Sequence, residues 1–117
     1  MKDHIIVLIK APNQGALVRT IPNDLRTLQR IVEGHIEVVD VRKNAIVICN
    51  EEAKMLSRFH NKKNFALTVD GHVIDEIYGT AIICSQDGED FDDLNTHDLL
   101  DMFETLDNKG YLEVNFS

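Results

Sequence analysis

The chain has 117 residues, 44% hydrophobic and 27% charged, the size and makeup of one soluble domain with a single core. No apolar run approaches the roughly 20 residues that cross a bilayer. The short run after Lys2 and Asp3, Ile5 to Ile9, is too brief for a secretory signal core and no small-residue cleavage site follows, so a cytoplasmic location is expected. In chain order, "HIIVLIK" (residues 4–10) is rich in β-branched residues and predicts a strand covered on both faces, and "ALVRTI" after the turn "APNQG" predicts its hairpin partner. Pro22 and Asn23 stop that strand. Asn23 as N-cap, with Leu25, Leu28, Ile31 and Val32 on one face and Gly34 as a left-handed stop, predicts a helix over about 23–33. "HIEVVDV" and "NAIVICN" read as two strands joined at Arg42-Lys43. "EEAKMLSRF" predicts a short helix near 51–58, with Asn50 at its N-cap and Glu51 and Glu52 in its first turn. "FALTVDG" and "HVIDEI" predict a hairpin about Asp70-Gly71, and "YGTAIICSQ" another strand. "DGEDFDD" reads as an exposed acidic loop. Asn95 or Thr96 then caps a helix over about 96–108 that presents Leu99, Met102, Phe103 and Leu106 and ends at Gly110, before a closing strand "YLEVNF". The sum is an α+β fold: a single compact domain over 1–117, with a mixed or antiparallel β-sheet, two main helices and one short one.

Net charge −8 is unevenly placed. Residues 84–108 carry nine acids and no Lys or Arg, while the remainder holds twelve basic and eleven acidic residues. An acidic end repels phosphates, so direct nucleic-acid binding there is not expected. Asp87, Glu89, Asp90, Asp92, Asp93, Asp98 and Asp101 instead form a candidate surface for a basic protein partner, or a mimic of DNA's charge.

Motifs for chemistry are sparse. The five histidines are scattered, and no H-E-x-x-H or paired-Cys spacing occurs. Asp93-x-x-x-His97 could set two ligands one turn apart, but it straddles a loop and a helix start. The acidic loop does not fit a calcium-binding frame. Gly-rich phosphate cradles and nucleophile elbows are missing. Cys49 and Cys84 lie in apolar runs, far apart, and are expected to be small buried thiols. Hence no catalytic residue, metal or cofactor is assigned. "RFHNKKNF" (58–65) is the one locally basic stretch, mixing Arg58, Lys62 and Lys63 with aromatic residues, a pattern suited to an anionic group or to a loop anchored by two phenylalanines. "IYGTA" most simply implies close backbone packing at its glycine.

The segments "IPNDLRTLQRIVEGHIEVVDV", "AIVICNEEAK" and "IDEIYGTAIIC" resemble the small proteins of domain-of-unknown-function family 3846, carried by bacteriophages, plasmids and other mobile elements of bacteria. The likeness spans about residues 5–86 and rests on Ile21-Pro22-Asn23, Leu25, Leu28-Gln29, Val32, Gly34, Ile36-Glu37, Asn50-Glu51-Glu52, Lys54, Asn61, Ile77 and Gly79-Thr80. Ala53 stands where the family usually has Gly, and the loop around His60 lacks its prolines. The resemblance implies an α+β accessory protein of a mobile element, cytoplasmic in a bacterial host cell, and carries no catalytic role.

The expected function is therefore non-enzymatic: binding of a host protein or a small polar ligand, in the service of blunting an antiphage defence. The candidate ligand residues are Asn50, Glu51, Glu52, Arg58, Asn61, Lys62 and Lys63. The alternatives are a small hydrolase or nuclease-like enzyme using Glu51, Glu52 and His60, and an acidic DNA mimic that inhibits a DNA-binding host protein. "YLEVNF", if an exposed edge, would also suit a homodimer.

Overall fold

A computed structural model describes residues 2–117. Two sheets and two helices build it, in the α+β class that the sequence predicts. The strands β1 (His4–Lys10), β2 (Leu17–Pro22), β3 (Ile36–Arg42), β4 (Ala45–Asn50) and β7 (Ala81–Asp87) form an antiparallel sheet in the order β2-β1-β7-β4-β3, with β8 (Asp90–Asp92) paired to the end of β7. A smaller sheet runs β6 (His72–Tyr78), β5 (Lys63–Val69), β9 (Tyr111–Glu113), with β9 parallel to β5.

The large sheet is covered on both faces, which explains why its inner strands are apolar without alternation. All six residues of β4 are buried, yet they divide by parity. Ile46 and Ile48 join Ile5, Val7, Ile82 and Cys84 beneath helix α1 (Leu25–Val32), which adds Leu28 and Val32. Ala45, Val47 and Cys49 face the other way, toward Phe65 and Leu67 of the small sheet and Met102 and Leu106 of helix α2 (Thr96–Asn108). The molecule is thus a helix, a sheet, and a mixed third layer of sheet and helix.

The hairpins follow their turn chemistry. Asp70 and Gly71, at φ +50° and +81°, join β5 to β6 between the paired Val69 and His72. Positive φ at both central residues is the turn whose twist suits a hairpin. Arg42 still pairs with Ala45, so the β3–β4 link is Lys43-Asn44, one residue later than expected.

Five local expectations change. Asp24, not Asn23, caps α1: its Oδ1 accepts the Thr27 N–H at 2.7 Å, while Asn23 turns its amide to the carbonyls of Lys2 and Phe91. Glu33, not Gly34, takes the left-handed position at the helix end, φ +63°. The short helix near 51–58 is a run of turns followed by a 3₁₀ turn, Ser57–Phe59. The acidic loop contains β8, because Phe91 packs against the α1-side core and Gly88, φ +64°, makes the reversal from Asp87 to Asp90. "YLEVNF" is also more than an edge: past β9, the Val114 N–H donates to Thr68 O and the Asn115 N–H to Val41 O, tying the two sheets together.

Candidate functional site

The site starts at the end of β4. Asn50 is buried, and its Nδ2 donates to the carbonyls of Val32 (3.2 Å) and Glu33 (3.1 Å). Those are carbonyls that the end of α1 leaves without helical partners. Its Oδ1 accepts the Glu52 N–H at 2.8 Å, and the Glu51 N–H donates to His35 O. Asn50 therefore closes the preceding helix instead of opening a following one. Gly34 makes room for it, since a Cβ there would lie 2.6 Å from Asn50 Nδ2. Glu51 and Glu52 project into solvent from the turn beyond.

The 3₁₀ turn then drives Phe59 inward, where its ring would meet a Cβ at Gly79 at 2.9 Å. Gly79 is held at φ +76° with its N–H on Lys62 O at 2.7 Å, so "IYGTA" does mark a close approach. Beside it, Arg58 donates from Nη2 to Glu33 O (3.1 Å) with its guanidinium 5.1 Å from the Phe59 ring centre. Between these parts runs a groove of about 240 Å³. Its walls are the β1–β2 turn from Ala11 to Gln14, Glu33 at the end of α1, Phe59 and Asn61-Lys62, and Gly79-Thr80.

A buried hydrogen-bonded frame lies beneath the turn. Lys10 is 7% exposed, and its Nζ donates to Ala11 O (2.9 Å) and Asn64 Oδ1 (3.1 Å). Asn64 Nδ2 donates in turn to the Lys10 and Gly79 carbonyls. Burial pushes the Lys10 ammonium below its ordinary value, with the Asp107 carboxylate opposing. Backbone on two walls of the groove is thereby fixed.

Of the seven candidate ligand residues, the structure brings Asn61 and Lys62 to this groove and sets Arg58 against its Glu33 wall. Asn50 stands behind that wall as a structural clamp. Lys63 turns away to Glu76 at 2.8 Å, a hydrogen bond that raises its ammonium above the ordinary value. His60 borders a separate open hollow with Lys54 and Tyr78, where Lys54 pairs with Asp75. Sequence reasoning missed Asn13, Gln14, Glu33 and Thr80. "APNQG" signalled only a turn, and the pairing of β1 with β7 is what brings that turn beside Thr80.

Four of the seven acidic candidates are paired with a base from elsewhere in the chain. Lys2 Nζ binds Asp92 (3.1 Å) and Asp93 (2.5 Å). Asp93 also accepts the Ile6 N–H. The Asp93 N–H and Lys2 hold Asp92 below the usual carboxylate range; Lys2 and the Ile6 N–H do the same for Asp93. Asp98 and Asp101 belong to a second cluster on α2, where Arg42 reaches them at 3.2 and 2.6 Å and Asn95 adds a bond to Asp98. Asp87, Glu89 and Asp90 are exposed and make no ion pair among the described residues. The hollow beside Arg42, about 560 Å³, is larger than the groove, but Arg42, Asp98 and Asp101 within it are bound to one another. His97 there is 89% exposed, and Asp93, its candidate partner in sequence, is taken by Lys2.

Among the described residues, no group of three or more His, Cys, Asp or Glu side chains is arranged to hold a metal ion. Cys49 and Cys84 are free, buried, and face opposite sides of the large sheet. Burial pushes both thiols up to about 12, with the Glu37 carboxylate adding to the effect at Cys49 and Asp92 at Cys84. Such thiols are poor nucleophiles at neutral pH. No helix among the described residues is long and apolar enough to cross a membrane. The family model described as "Domain of unknown function (DUF3846)" matches residues 1–107. No curated protein and no solved structure matches the chain.

Proposed function

The chain belongs to the DUF3846 family, and on that premise we propose that it is a non-enzymatic accessory protein of a phage or mobile element that binds a small polar ligand in the groove between the β1–β2 turn and Asn61-Lys62. One observation carries this reading. Asn13, Gln14, Asn61, Lys62 and Thr80 line a concave site, and their side chains make no hydrogen bond or ion pair to the rest of the chain among the described residues. Asn23, Asn50, Asn64 and Asn95, by contrast, hold backbone or side chains, while Asn44 beside Arg42 is unengaged like the groove residues. Polar groups that converge on a hollow and remain unengaged are what a ligand site requires.

The proposed use is capture of a bacterial metabolite, which would suit interference with a small-molecule defence signal. Native mass spectrometry of the purified protein after incubation with a bacterial metabolite extract tests it. The wild type should retain a bound species that Lys62→Met does not. A wild type that retains nothing would sink the proposal.

The exposed Asp87, Glu89 and Asp90 favour a second reading, contact with a basic host protein through the β7–β8 turn. That complex should weaken steeply as salt rises from low to physiological strength. Charge reversal at these three positions should abolish it.

A further inference from the structure

Three non-glycine residues among those described hold a positive φ: Asn13, Glu33 and Asp70. Asp70 needs it for a hairpin turn, but the other two both line the groove. Glu33 is the more telling. The left-handed position after a helix favours glycine or asparagine, and a residue with a Cβ is strained there. A carboxylate also sits badly at the negative end of a helix dipole. Gln29 O does receive the Glu33 and Gly34 N–H groups, so the backbone turn itself needs no carboxylate. Arg58 addresses the Glu33 carbonyl, and Glu33 enters no ion pair among the described residues. A side chain that opposes two local preferences, and is not needed by its neighbours, marks a position kept for another purpose.

The geometry points to a ligand of two-sided chemistry: an N–H-donating edge for Glu33 and an anionic group for Lys62. This deepens the ligand reading above and rests on it. A carboxylate only accepts hydrogen bonds and an ammonium only donates them, so the two walls sort the ends of a ligand. Asn13, Gln14 and Asn61 offer carboxamides, which donate and accept and serve the polar middle. A simple anion is disfavoured by Glu33, and a simple cation by Lys62 and by Arg58 beside it. At about 240 Å³ the groove is below the usual 300–1,000 Å³ of drug-sized pockets, which limits the bound part to a fragment. Two sources share the required chemistry. A guanine mononucleotide offers adjacent ring and exocyclic N–H groups and a phosphate, and a free amino acid offers an ammonium and a carboxylate.

The test is titration of the ¹⁵N-labelled protein with guanosine monophosphate, adenosine monophosphate, glutamine and inorganic phosphate, read at the amides of Asn13, Gln14, Asn61, Lys62 and Thr80. Either guanosine monophosphate or glutamine should shift these amides, and adenosine monophosphate and phosphate should bind at least tenfold more weakly. Glu33→Gln should weaken the favoured probe at least tenfold while leaving phosphate unchanged or tighter, an opposite response that a merely structural role would not give. Should Glu33→Gln leave the favoured probe unaffected while Lys62→Met abolishes it, the two-sided chemistry is wrong and the groove reading stands. The two-sided chemistry is equally wrong if phosphate binds as well as any other probe. If no probe shifts these amides the two-sided chemistry is wrong, and if the metabolite extract also yields no bound species the groove reading falls with it.

Discussion

The groove and the Arg42 end of α2 both carry amide and charged side chains, but the two regions use them differently. At Arg42 the guanidinium, Asp98, Asp101 and Asn95 satisfy one another, so the central charges of the larger hollow are paired, while Lys43 and Asn44 on its rim are not. At the groove the partnered groups, Asn50, Lys10 and Asn64, lie behind the walls, and those in front are unengaged. Hollow size alone would choose the Arg42 region. What separates them is that the acids and the guanidinium at the centre of the Arg42 hollow are bound to one another, whereas Lys62 in the groove has no ion pair among the described residues.

The largest expected effect comes from breaking the scaffold behind the groove. Asn50→Ala leaves two helix-end carbonyls and the Glu52 N–H without their partner and should cost about 3 kcal/mol in urea unfolding. Gly34→Ala should cost about 1–3 kcal/mol by displacing Asn50. The double variant should fall well short of the sum, because the two residues act on one contact. Arg42→Met, at the other region, should cost about 2 kcal/mol, less than a fully buried pair because Asp101 is half exposed.

A pH readout tests the sheet that carries both regions. The folded thiols of Cys49 and Cys84 are raised to about 12 from an ordinary 9.0. Because the folded value is the higher, their contribution is fully present below pH 9 and is lost as pH climbs toward 12. By pH 10 the loss should be about 1 kcal/mol per thiol, and Cys49→Ala/Cys84→Ala should flatten that part of the stability curve. The smallest effect belongs to the groove. Asn61→Ala and Lys62→Met should leave unfolding within about 0.5 kcal/mol of wild type, as expected of side chains that hold nothing in place.

The hairpins and α2 were legible because their signals are local: an Asp-Gly turn, an Asn cap, and an apolar face at Leu99, Met102 and Leu106. The 51–58 segment departs from its expected helix for a physical reason. Asn50-Glu51-Glu52 has the composition of a helix start, but the Asn50 Nδ2 is anchored to the end of α1, seventeen and eighteen residues back in the chain. The Asn50 Oδ1 accepts the Glu52 N–H in a local turn, and the segment runs on in single turns with Lys54 held by Asp75 of β6. The acidic segment was legible as charge but not as partners, since Lys2 and Arg42 come from distant strands and strand ends. Half of the groove was visible in "RFHNKKNF". The other half, Asn13, Gln14, Glu33 and Thr80, exists only once β1, α1 and β7 are assembled.

Mapping the two regions side by side is the most direct test. Backbone amide spectra of the ¹⁵N-labelled protein, recorded with and without a bacterial metabolite extract, report on both at once. Shifts should be confined to Asn13, Gln14, Asn61, Lys62, Gly79 and Thr80, with Arg42, Asn44, Asn95 and His97 unmoved. Shifts gathered around Arg42 and His97, or none in either region, would contradict a ligand site in the groove.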